Sequence, residues 1–126
     1  MRFVKYVLPA VCLLGYTING FAEKSQTVEC PSARVIKQQK ISQVIGYLPG
    51  LYMGMEESNY QTSAAWRFNL GPIMADSAKQ VLIKSNEELK NISGPISQVS
   101  SDGTPLCVYK TKNPGNTAIA TLIQDE

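Results

Sequence analysis

Among its 126 residues the chain has no histidine. That absence removes Ser-His-Asp and Cys-His nucleophile chemistry, in which an imidazole takes the proton, and with it the commonest metal ligand. Cysteine is scarce, at three. A zinc site needs three or four ligands, so scattered carboxylates would have to complete it. There is no Gly-x-Ser-x-Gly elbow and no glycine-rich phosphate loop, and Asp102-Gly103 lacks the further oxygen ligands of a calcium loop. Carboxylates occur as the adjacent pairs Glu56-Glu57 and Glu87-Glu88, which diverge on a strand or a helix and cannot face one substrate. A catalytic pair would have to be gathered by the fold from Glu56, Glu57, Asp76 and Asp102. No cofactor or metal follows from these residues.

A long apolar run is also missing. Spanning a bilayer takes about 20 apolar residues, whereas the run from Tyr6 to about Tyr16 is much shorter. It follows Arg2 and Lys5 and leads to Gly20-Phe21-Ala22, a small-x-small triplet. This layout predicts a secretory signal peptide over residues 1–22, a mature chain over 23–126 with no transmembrane segment, and a periplasmic or extracellular location. Cys12 lies inside the apolar run and leaves with the peptide. Loss of Arg2 and Lys5 takes the 12 basic residues to ten, against 10 acidic ones. A mature charge near zero argues against nucleic acid as a partner and against a polybasic membrane surface.

Export also settles the reading of "TPLCVYKT". Only Cys30 and Cys107 remain in the mature chain, an even number in an oxidising compartment, so a single intramolecular bridge is expected. A nucleophilic Cys107 would need a base to hold it as thiolate, and no histidine is available.

The mature sequence reads as α+β. After a polar lead-in, the run around Ala33 to Lys37 is β-prone and is expected as a first strand behind Cys30-Pro31. In "ISQVIGYLPGLYMGMEESNY", Pro49-Gly50 suits the centre of a type II turn, giving a hairpin from about Val44 to Met55. The same stretch also reads as a loop that exposes Tyr47, Leu48, Leu51, Tyr52 and Met53 as a contact surface. Alternation places Ala64, Trp66, Phe68 and Leu70 on one face of a strand. A break is expected at Gly71-Pro72. Residues 77–92 carry apolar or small side chains at 78, 81, 82, 85, 89 and 92, a helical stripe, with Ser77 and Gln80 as a capping box and Gly94-Pro95 as its stop. "SSDGT" marks a turn. "PLCVYKT" and "TAIATLI" flank Asn113-Pro114-Gly115-Asn116 as a terminal hairpin. No internal repeat or second domain is visible.

The segments "ECPSARV", "YQTSAAWRFNLGPIMADSAKQVLIKSNEELKNISG" and "LCVYKT" resemble small exported two-cysteine proteins of unknown function from gamma-proteobacteria, including intracellular pathogens. The resemblance runs from Cys30 to Thr121 and implies export from a bacterial cell. It supplies no activity and no catalytic residues.

The expected architecture is an antiparallel sheet of four to six strands with one helix packed on a face and one disulfide. Its core would draw on Val35, Trp66, Phe68, Leu70, Val81, Leu82, Leu89 and Val108. The leading functional expectation is a non-catalytic exported protein that binds another protein or a surface component. One alternative is a small secreted hydrolase. Another is an envelope or assembly component that offers "TAIATLI" as a sheet edge for an added strand.

Overall fold

The computed structural model describes residues 28–124, so the expected signal peptide, Cys12 included, lies outside the described residues. Eight elements follow in order. They are α1 (Ala33–Gln39), β1 (Gln43–Leu48), β2 (Leu51–Ser58), β3 (Trp66–Met74), α2 (Ala78–Leu89), β4 (Ser93–Ser101), β5 (Thr104–Lys110) and β6 (Thr117–Leu122). The strands form one antiparallel sheet in the order β1-β2-β3-β6-β5-β4. The chain thus runs helix-strand-strand-strand twice, and the last strand of each half meets the other at the middle of the sheet.

Residues 33–39 are a helix, where the sequence suggests a strand. Ser32 caps it, its Oγ accepting from Val35 N at 3.2 Å. Ala33 and Ile36, one turn apart, are buried together with Val35. A helix this short is not stable alone. It is held by the core and by the Cys30–Cys107 disulfide just ahead of it, whose Cα atoms are 5.9 Å apart. The Tyr109 hydroxyl adds a hydrogen bond to the Pro31 carbonyl. The bridge therefore ties the approach to α1, and not a first strand, onto β5.

The β1–β2 hairpin forms around Pro49-Gly50, with Gly50 at φ +80°, the sign a type II turn requires at that position. On β3, Trp66, Phe68 and Leu70 all point inward and are fully buried. The Trp66 indole is not left unpaired, since its Nε1 donates to Thr62 Oγ1 at 3.0 Å. β3 does not stop at Gly71-Pro72. It passes through an irregularity there, opposite Tyr52 to Gly54, and continues to Met74.

α2 is shorter than its apolar stripe suggests. Ser77 caps it, accepting from Gln80 N at 3.2 Å, but the helix closes at Leu89 and the chain enters β4 at Ser93. Gly94-Pro95 lies inside that strand, in an irregular stretch between Ser93 and Ser97. Asp102 (φ +52°) and Gly103 (φ +78°) then make the two-residue turn into β5, both with the positive φ that a tight hairpin needs.

Both helices cover the same face. The main core joins Ile36 of α1 and Leu89 of α2 to Trp66, Phe68, Leu70, Cys107, Tyr109, Ala118 and Ala120. Phe68 and Tyr109 meet edge to face at 6.0 Å. A smaller cluster of Ile73, Ala75 and Val81, with Val44 and Tyr52 against it, extends the core towards the β1–β2 hairpin. Val108 is not part of the core. It alternates with Cys107 and Tyr109 on β5, and these two take the inward positions.

Candidate functional site

Of the exposed large apolar side chains, Tyr47, Leu48, Met74 and Ile83 lie at the hairpin end of the sheet, whereas Ile96 and Val99 lie on the far edge strand β4. Leu48, Leu51 and Met74 stand opposite one another across β1, β2 and β3. Leu48 is 63% exposed, Met74 73% and Ile83, on the adjoining helix, 56%. Ala75 N donates to Gly50 O at 3.2 Å, which ties the end of β3 to the hairpin tip and fixes this row. Beside it lies a cleft of about 610 Å³ between the end of β3, α2 and the loop at Asn113 to Asn116, with Leu51, Ile73, Met74 and Ile83 along its walls.

The charged groups of this cleft are engaged within the chain. Lys84 Nζ donates to Met74 O at 2.8 Å. Glu88 accepts from Asn113 N at 3.0 Å, holding the loop against the helix. Glu87 pairs with Lys90 at 3.3 Å. What the cleft presents is therefore an apolar bed between polar groups whose positions are set.

The five residues expected to form a contact surface divide. Tyr47 and Leu48 are exposed, and Leu51 is half-buried on the wall of the cleft. Tyr52, half-buried, turns the other way and packs against the smaller core cluster. Met53 is buried on the sheet face away from the helices. Met74 and Ile83 were not expected. Ile83 left a signal in the sequence, an isoleucine off the apolar stripe of α2; Met74 left none, because it depends on β3 continuing past Gly71-Pro72.

The carboxylates do not assemble as a pair. Glu56 lies opposite Phe68 on the helix side and is taken up by Ser42, accepting from its N at 3.0 Å and from its hydroxyl. Glu57 points to the other face and pairs with Arg67 at 2.7 Å. Asp76 precedes the cap of α2, and Asp102 sits in the β4–β5 turn. Among the described residues no group of three or more His, Cys, Asp or Glu side chains could hold a metal. Two tyrosines are perturbed by the fold. Burial, and to a smaller degree nearby Glu56 and Tyr109, pushes the Tyr60 phenol well above its usual range. Burial does the same to Tyr109. Both are structural: Tyr109 holds Pro31, and Tyr60 closes the end of the core.

The model of a family described as a domain of unknown function, DUF4949, matches residues 29–126. The chain belongs to the DUF4949 family. No curated protein and no solved structure matches it. The DUF4949 match begins one residue before Cys30 and so takes in the whole disulfide-linked fold. No described helix is long and apolar enough to cross a membrane.

Proposed function

We propose that this DUF4949 protein is exported, loses residues 1–22 as a signal peptide, and acts in the periplasm or outside the cell as a non-catalytic protein that binds another protein or a surface component. The carrying observation is the row Leu48–Leu51–Met74 with Ile83 beside it, exposed at one end of the sheet except for half-buried Leu51, while Lys84 and Glu88 are hydrogen-bonded to backbone groups of the chain itself. Contiguous exposed apolar side chains of this kind mark contact surfaces. The disulfide is compatible with an oxidising compartment. The likeness to two-cysteine proteins of gamma-proteobacteria supports a bacterial envelope setting. Tyr47, Leu48 and Leu51 carry over from the sequence reading as contact residues; Met74 and Ile83 join them.

A small hydrolase is the weaker reading, because Glu56 and Glu57 face opposite sides of the sheet and Glu56 is occupied by Ser42. The assembly reading loses its strand altogether. Thr117–Leu122 is paired on both sides, with β3 and with β5, and offers no free edge.

The test is capture from envelope and host-cell extracts by the oxidised protein, set beside Leu48→Asp and Met74→Asp variants. Both positions are exposed, so the fold survives the change. The expected result is a partner retained by the parent and weakened at least about tenfold by either variant, the loss of one contact worth about 1.4 kcal/mol. Equal retention by parent and variants, or no retained partner, refutes the proposal.

A further inference from the structure

An antiparallel sheet covered by helices on one side ordinarily alternates apolar-in, polar-out. Here the middle strands carry apolar side chains on both faces. On the side away from the helices, the register places Met55, Asn69, Ile119 and Val108 in one row across β2, β3, β6 and β5. Arg67, Thr121, Leu106 and Val99 form the next row. Ile45 and Met53 pair on the flank. Met53 and Met55 are buried yet belong to neither core cluster. Leu106, Val108 and Ile119 are half-buried, and Ile45 and Val99 are exposed.

We propose that this face is where a second copy of the chain packs, sheet on sheet, about a two-fold axis. Two observations favour a copy of itself over another occupant. First, self-association across a two-fold axis brings like residues near one another, which penalises unbalanced charge. The two rows hold one ion pair, Arg67 with Glu57, and no unpaired charge; Lys110 stands only at their margin. Second, the extent fits. The five spacings of about 4.8 Å between six strands, over about 20 Å of strand length, give a flat footprint of roughly 480 Å² per copy, or about 1,000 Å² for two. That is the area at which specific interfaces begin. Facing sheets pack about 10 Å apart, which lets half-buried Val, Leu and Ile side chains interdigitate.

The test is sedimentation of the oxidised protein, purified from the periplasm of an expression host, across a hundredfold range of concentration. The expected result is a monomer–dimer equilibrium that Val108→Lys abolishes and that Ile83→Asp, on α2 and so on the opposite side of the sheet, leaves unchanged. Val99→Lys, at an already exposed position, weakens the dimer at least tenfold, and it keeps the test intact should Val108→Lys not fold. A monomer at every concentration overturns the proposal, and so does a dimer that Val99→Lys and Val108→Lys both leave intact. The contact surface of the hairpin end is read by capture and not by mass, so the two proposals fail separately.

Discussion

Reducing the Cys30–Cys107 bridge is the perturbation whose size follows most directly from the structure. The bridge closes a loop with a sequence separation of 77. In the chain-entropy model a cross-link of that length removes about 15 cal/mol/K from the unfolded ensemble, or about 4.5 kcal/mol at 25 °C. Domains of this size are stable by roughly 5–15 kcal/mol in all, so the reduced chain is left near its threshold. With a urea slope of about 1.5 kcal/mol/M, the unfolding midpoint falls by about 3 M. Reduction isolates the cross-link because both sulfur atoms stay in place, whereas Cys30→Ala with Cys107→Ala also empties part of the core around fully buried Cys107. The double variant is therefore the less stable of the two. The loss is also local: α1 has seven residues and depends on the bridge and on Tyr109 for its position, so its amides lose exchange protection before those of β3 and β6. A reduced midpoint within about 0.5 M of the oxidised one would refute the argument. It would mean that the unfolded chain is already constrained without the bridge.

Alkaline pH tests the two buried phenols. Tyr60 and Tyr109 are both held above the usual phenol range, so in the folded state they keep their protons where an unfolded chain releases them. Their stabilisation is complete below about pH 10 and is lost as the pH climbs towards the raised folded values, by up to about 1.4 kcal/mol per pH unit for each tyrosine. Urea midpoints at pH 9 and pH 11 should show the fall, and Tyr60→Phe should remove about half of it; a flat profile contradicts the burial argument. At Gly54 sheet and helix approach closely: a Cβ there would stand 2.8 Å from Ser85 Cβ and 3.0 Å from Ile41 Cγ2. Gly54→Ala should cost about 1–3 kcal/mol by overpacking, and Ser85→Gly in the same chain should show a compensating coupling in a double-mutant cycle. A cost under about 0.5 kcal/mol for Gly54→Ala means that α2 gives way more readily than a close-packed layer does.

Much of this fold follows from short-range chemistry and was therefore legible in the sequence. Pro49-Gly50, Asp102-Gly103 and Asn113 to Asn116 fix turns through backbone preference, and each joins two adjacent antiparallel strands. Alternation around Trp66 set the inward face of β3, and the 3.6-residue stripe with its Ser77 cap set α2. The cysteine pairing needed only the expectation that residues 1–22, with Cys12, are a leader, which leaves Cys30 and Cys107 to pair. Where local signals were weak or divided, the larger assembly decided. Residues 33–39 have β-prone side chains, but Ser32 caps them and the core accepts Ile36 and Val35 from a helix, so burial overrides propensity. Ser93–Ser101 carries few apolar residues and every position is exposed; it is a strand because β5 supplies its hydrogen-bond partners, and periodicity could not announce it. "TAIATLI" looked like an edge because a terminal strand has only one sequence neighbour. In space β6 lies between β3 and β5, since the two helix-strand-strand-strand halves join at their last strands. The candidate surface divides in the same way. The sequence alone showed that residues 47–53 are unusually apolar, but which of them face solvent depended on the hairpin register, on α2 drawing Tyr52 into the smaller core, and on β3 extending far enough to set Met74 beside Leu51.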